Sequence, residues 1–331
     1  MNRPHLLALG ALLVAATAHA QTLVVLNKSE ASASLIDPSN GRTIAKLPVG
    51  RGPHELAISA DGRLAFVANF GRYQMGAQTD TMRTRAGNTM TVLDLANRAV
   101  KVTYEFGTHT GQHGVAVSKD GSRVWLTSET PNALLEIDAA NGKILNVWPT
   151  NQQRTHLVLP SPDQKRFYVT NTVSGSLTII DRATGAVKNI PIGAGAEGVT
   201  VSPDGREVWV AWRNDSKISI VNTANDQIVE TISAEGQGPQ RIQFTPDGSQ
   251  VLSSNVRSNT VTVIDAKTRK LIESIPVGAG PAGIVFSPDG RRGYVALSGA
   301  NQVAVIDVAS RKVVQTFTTG AEPDGIAWVA K

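Results

Sequence analysis

Four histidines follow residue 20 in this 331-residue chain, and their spacing is regular. His54, His113 and His156 each lie seven residues before the aspartate of a recurring turn: Asp61 in SADGR, Asp120 in SKDGS and Asp163 in SPDQK. The same offset gives Glu197, Gln240 and Ala282 ahead of Asp204, Asp247 and Asp289. It also gives Asp324 ahead of Lys331, where a further turn aspartate would fall. The fourth histidine, His109, stands four residues before His113. Imidazoles and carboxylates at one repeated offset have two chemical uses. Neutral ring nitrogens with nearby carboxylate oxygens can ligate a divalent metal such as zinc or copper, with His54, His113 and His156 as the ligands, while Glu55 is expected among the ligand-binding residues beside them. The same groups beside a cation such as Arg241 can act as general acid or base and as oxyanion stabiliser toward a lactone or similar ester. A third use is purely structural, with each imidazole bonding carbonyls at a rim. Nothing in the chain resembles a nucleophile elbow or a zincin helix.

The elements that must position these residues follow from the repeat. The turn recurs as SADGR, SKDGS, SPDQK, SPDGR, TPDGS and SPDGR, starting at Ser59, Ser118, Ser161, Ser202, Thr245 and Ser287. Proline presets φ and glycine accepts positive φ, so this is turn chemistry. Eighteen residues after most of these aspartates a β-rich run ends in Asp138, Asp181, Asn222, Asp265 or Asp307. Each unit of about 42 residues then has room for four short strands, which is a propeller blade. Richness in Val, Ile and Thr with dense Gly and Pro punctuation argues against a helical solenoid. Asp37 belongs to the series but has no turn upstream, whereas Asp324–Trp328 matches the start of a unit at the other end. The repeat is therefore circularly permuted. The fold expected is an all-β, seven-bladed propeller of four-stranded blades, closed by the N-terminal strands together with a C-terminal inner strand.

Residues 1–20 read as a signal peptide: a basic start at Arg3, an apolar Leu6–Ala16 stretch too short to span a membrane, and Ala18-His19-Ala20 as the cleavage site. Residues 21–331 form the propeller, expected in the periplasm or secreted, as a monomer without a membrane span. The absence of cysteine excludes disulfides and thiolate metal sites. The formal charge of +5 falls to +4 without Arg3, with no charge run, so nucleic acid is not an expected partner.

Phe167-Tyr168-Val169-Thr170-Asn171 is the motif of the YVTN β-propeller repeat family. Phe66–Asn69, Val251–Asn255 and Gly293–Leu297 are looser copies. Essentially all of residues 21–331 resembles this family, and with its leader the chain resembles the exported YncE-type bacterial members. The resemblance implies the fold and leaves the activity open. Similar propellers include lactonases, subunits of quinone-dependent amine dehydrogenases, the copper-bearing domain of nitrous-oxide reductase and the d1-haem domain of nitrite reductases.

Blade geometry brings the seven-residue offset to one place. The inner strand of each blade begins there, so one residue per blade points to the mouth of the central channel. The first complete unit also carries 15 extra residues between Phe70 and Asn88, including Arg72, Arg83 and Arg85, which suit an anionic ligand or acidic partner at the same face. The first expectation is binding of a small molecule or a periplasmic protein at this His-bearing mouth without catalysis. The alternatives are a lactonase-like hydrolase using His54, His113, His156, Glu197 and Arg241, and a metal- or redox-linked accessory protein.

Overall fold

The computed structural model describes residues 21–71 and 86–329; Arg72, Arg83 and Arg85 lie outside the described residues, as do the leader and the last two residues. The strands form seven four-stranded antiparallel sheets. Ring closure is as the permuted repeat requires. Pro323–Val329 pairs with Thr22–Asn27, followed by Ser32–Ile36 and Thr43–Pro48, with Leu23 opposite Trp328 and Val25 opposite Ile326. Calling this blade 1, the inner strands of blades 2 to 7 are Pro53–Ile58, Thr110–Val117, Thr155–Pro160, Ala196–Val201, Pro239–Phe244 and Pro281–Phe286. Among the described residues no helix is long and apolar enough to cross a membrane.

Burial explains the sequence pattern strand by strand. The middle strands are covered on both faces by neighbouring blades, so they read as unbroken runs such as Ser176–Asp181, buried up to its last residue. The outer strands leave one face in water and alternate, as in Lys312–Thr318. Between blades 3 and 4 the core is aromatic, with Phe167 at 4.8 Å from Trp125 and 5.4 Å from Trp148. The motif asparagine is a structural residue. Asn27, Asn69, Asn171 and Asn255 are buried, and their amides donate to Ser34, Thr91, Thr178 and Thr262 on the next strand at 2.8–3.0 Å.

The inner strands start earlier than the sequence pattern suggests. In blade 5 the strand begins at Ala196, ahead of Glu197, so the seven-residue offset falls inside the strand. All seven inner strands shift register at that point: Ala196 faces Trp212, yet Val199 faces Val210, and the same irregularity recurs in the other six. A β-bulge leaves a residue out of the ladder and re-aims its side chain. The bulge turns one side chain per blade toward the channel mouth, and a ladder signal in the sequence cannot show where it sits.

Candidate functional site

The seven bulge residues are His54, His113, His156, Glu197, Gln240, Ala282 and Asp324. The next residue decides how closely adjacent blades approach. It is glycine in four blades. A Cβ on Gly114 would sit 2.7 Å from the His156 carbonyl oxygen, and one on Gly325 would sit 2.5 Å from that of His54. Glycine therefore lets the inner strands of blades 3 and 4, and of blades 1 and 2, come together. Glu55 and Arg241 occupy the same position in blades 2 and 6, and their side chains run into the channel instead.

The three imidazoles are brought into one tilted stack. Ring centroids of His54 and His113 are 3.7 Å apart, and those of His113 and His156 are also 3.7 Å apart. Phe70 packs edge-on at 5.0 Å from His113 and 5.8 Å from His54. All three histidines are buried, at 5–8 % exposure. Burial, reinforced by neighbouring cationic and imidazole groups, pushes the imidazoles of His113 and His156 well below their usual range, so both are neutral near pH 7. No hydrogen bond joins the three imidazoles to a rim carbonyl among the described residues. His54 Nδ1, His113 Nε2 and His156 Nδ1 are buried without a hydrogen-bond partner. A buried polar atom left so costs roughly 1–3 kcal/mol; His54 Nδ1 has the Asp324 carboxylate 3.3 Å away. His109 stands apart, in the turn before the blade 3 strand. Its carbonyl accepts from Gln112 at 2.8 Å, and its Nδ1 is also unpartnered.

Opposite the stack, Arg241 reaches across the channel from blade 6 to blade 2. Its Nε and Nη2 donate to Glu55 Oε1 at 2.8 and 2.5 Å, and its Nη1 donates to Glu197 Oε1 at 3.3 Å and to the Gln240 carbonyl at 3.0 Å. Burial opposes its charge, but Glu55, Asp324 and Glu197 more than offset that and hold the guanidinium firmly protonated. A guanidinium has five N–H donors. Four are used here, and the fifth, on Nη2, points toward Asp324 Oδ1 at 4.0 Å, beyond hydrogen-bond reach. Asp324 is 1 % exposed and lies 2.7 Å from Lys28 Nζ and 3.3 Å from His54 Nδ1. Burial would raise its carboxyl, but His54, Lys28 and Arg241 hold it far below the usual carboxylate range. Beneath the Glu55–Arg241 pair the channel opens into a cavity of about 340 Å³, lined chiefly by aliphatic residues such as Leu157, Val199, Ile242 and Ile284.

Sequence reading missed a second ring of residues. One position past the motif asparagine, in the same repeat register, stand Lys28, Phe70, Glu129, Thr172, Arg213, Val256 and Ser298. In four blades this residue touches the bulge residue of its own blade: Lys28 with Asp324, Phe70 with His54, Glu129 with His113 and Arg213 with Glu197, the last at 3.3 Å. The repeat offset that found the first ring would have found the second. Glu129 is the most perturbed of this group. Its side chain is 14 % exposed, its Oε1 lies 3.3 Å from His113 Nδ1, and its Oε2 lies 3.5 Å from Arg154 Nε. Desolvation pushes its carboxyl up to about 7 despite Arg154.

The donor atoms of His54, Glu55 and Asp324 lie within 4.8 Å of one another and could hold a cation, although Lys28 and Arg241 already sit on those carboxyls. The three imidazoles meet at interplanar angles of 46° and 42°. Among the described residues it is His54 with the two carboxylates, and not the three histidines together, whose donor atoms come that close.

Two family models match the chain. One described as a seven-bladed lactonase β-propeller matches residues 11–275, and one described as a YNCE-like β-propeller matches residues 234–331. No curated protein matches. Solved structures share the fold at low identity. The periplasmic gluconolactonase PpgL of Pseudomonas aeruginosa is 20% identical, with TM-score 0.74 over 94% of this chain and 99% of that one. Hydrazine synthase of Kuenenia stuttgartiensis is 20% identical, with TM-score 0.73 over 87% and 92%. A Desulfotomaculum acetoxidans protein described as functionally unknown is 16% identical, with TM-score 0.76 over 93% and 98%.

Proposed function

This chain belongs to the seven-bladed lactonase β-propeller family, and from that premise we propose that it hydrolyses a lactone at the His-bearing mouth of its ring. One observation carries the reading. Buried imidazoles with unpartnered nitrogens share the mouth with a buried guanidinium that has one N–H unused. A neutral imidazole is a base, and a preorganised cationic donor is an oxyanion stabiliser. Water attacks the lactone carbonyl carbon while an imidazole nitrogen takes its proton. The carbonyl oxygen becomes an oxyanion opposite the free Arg241 Nη2–H. The ring C–O bond then breaks, the leaving oxygen takes the proton back from the imidazolium, and a hydroxy acid leaves. Gluconolactonase activity in the Pseudomonas aeruginosa relative supports this class of substrate. The expected leader is consistent with a reaction in the periplasm or outside the cell.

The test is acid release from five- and six-membered lactones, followed by pH-stat with the purified full chain. Turnover above the spontaneous rate is expected, with Arg241→Gln lowering kcat/KM by roughly 100-fold. Lactones that bind in calorimetry without being opened would leave a binding protein in place of the hydrolase. Neither binding nor turnover would remove the mouth as a lactone site.

A further inference from the structure

We infer that Glu129 is the positioning residue of this mouth: it accepts the Nδ1–H of His113 and thereby leaves His113 Nε2 as the basic nitrogen that faces the ligand. The inference rests on the hydrolase reading for its kinetic consequence but not for its geometry.

The geometry leaves His113 little freedom. Its ring is held on one face by His54 and on the other by His156, with Phe70 at its edge. Of its two nitrogens, Nδ1 lies 3.3 Å from Glu129 Oε1, and Nε2 is buried without a partner. A neutral imidazole carries one proton, and the hydrogen bond made by one nitrogen decides which nitrogen keeps it. A carboxylate only accepts, so an ionised Glu129 places the proton on Nδ1 and the lone pair on Nε2. That is the logic by which an acid orients a catalytic imidazole, and Glu129 is itself anchored, at 3.5 Å, by Arg154. Among the three stacked rings only His113 has a carboxylate of its own blade's second ring beside it. The corresponding residues of blades 2 and 4 are Phe70 and Thr172, which carry no carboxylate; the carboxylate nearest His54 Nδ1, at 3.3 Å, is Asp324 of blade 1, itself held by Lys28.

The arrangement also carries a pH signature. The groups facing His113 are Glu129 from its own blade, His54 from blade 2, His156 from blade 4, and Arg241 and Lys28 across the mouth. Burial first, and then His156, His54, Arg241 and Lys28, keep His113 neutral, while burial raises the Glu129 carboxyl to about 7. Above that value Glu129 accepts from Nδ1–H. Below it the carboxylic acid becomes a donor to Nδ1, the proton moves to Nε2, and the base is lost. Activity should therefore rise through pH 7, later than an ordinary histidine would make it.

The experiment uses the full chain labelled with ¹⁵N in histidine, with the His113 signals identified by their loss in His113→Gln. At pH 8 the expected spectrum shows a protonated Nδ1 and a bare Nε2. In Glu129→Gln the amide oxygen turns to Arg154 and the amide nitrogen donates to Nδ1, so the tautomer inverts. The same variant should lower kcat by about 100-fold with KM little changed and should abolish the pH dependence near 7. A Glu129 with only a packing role would tolerate this isosteric change in both readouts. A parent spectrum with the proton on Nε2, or an unchanged tautomer in Glu129→Gln, overturns the inference. Should no lactone be opened by the parent chain, the hydrolase reading fails alone, and the spectrum still decides which nitrogen of His113 is basic.

Discussion

The two faces of the ring use the same residue types in opposite ways. On the turn face, each aspartate is satisfied by its own loop: Ser59, Ser118, Ser161, Ser202, Thr245 and Ser287 donate to the aspartate two residues on at 2.5–2.6 Å. Those aspartates are exposed, and every partner lies within a few residues. At the mouth, Asp324 is buried and held by Lys28, and Glu55 is held by Arg241, 186 residues away. Several of the mouth's polar atoms have no partner at all. The turn face is satisfied within its own loops, and the mouth is held by ion pairs between distant blades. Local sequence is sufficient for the first, and ring closure is necessary for the second.

The largest expected difference between the faces comes from removing the central cation. Arg241→Met leaves the half-buried Glu55 and the buried Glu197 and Asp324 around a methionine. The expected loss is about 3–5 kcal/mol, or roughly 5 °C or more in Tm for a chain of this size. In a Glu55→Gln/Glu197→Gln background the same change should cost much less, because the carboxyls it strands are gone. Equal costs in both backgrounds, read by urea unfolding, would show that the mouth is not one electrostatic network.

A second difference lies in the response to pH. Below about pH 6.5 the unfolded chain takes protons on His113 and His156 that the folded mouth refuses, so stability falls as pH drops. Glu129 works in the opposite sense. Its folded carboxyl, raised to about 7 from an ordinary 4.5, is already protonated where the unfolded one is not, which favours the fold as pH falls between those values. Two imidazoles outweigh one carboxyl, leaving a net loss of about 1–2 kcal/mol between pH 7 and 5. The turn aspartates, with carboxyls lowered from 3.8, contribute stability that is lost only as pH falls below that value. In urea midpoints measured over this range, His113→Gln/His156→Gln should flatten the acid limb and Glu129→Gln should steepen it. A limb indifferent to both would place the titrating groups elsewhere.

The smallest effect belongs to the turn face. Ser202→Ala removes the 2.6 Å bond to Asp204 and the 3.0 Å bond accepted from the Glu207 amide. About 1 kcal/mol should be lost, with no coupling to Arg241→Met in a double-mutant cycle. Coupling above about 0.5 kcal/mol would mean that the two faces communicate.

The repeat alone determined the blade count, the four-strand unit and the closure by Pro323–Val329, because those features rest on turn chemistry and strand pairing repeated at a fixed register. It also placed His54, His113, His156, Glu197 and Asp324 in one ring, since residues at one repeat position must occupy equivalent places in a closed propeller. Their condition was decided by tertiary structure. The bulge that turns each side chain inward, the stacking of three imidazoles at 3.7 Å, and the reach of Arg241 from blade 6 to Glu55 in blade 2 depend on how far apart the blades stand. Glu129 shows the divide most clearly. Its register was readable in the sequence, one position past the place of the motif asparagine, which is Ser128 in this blade. Its elevated carboxyl and its hold on His113 arise only when closing the ring strips water from both, because desolvation belongs to the assembled volume and not to any local stretch of chain.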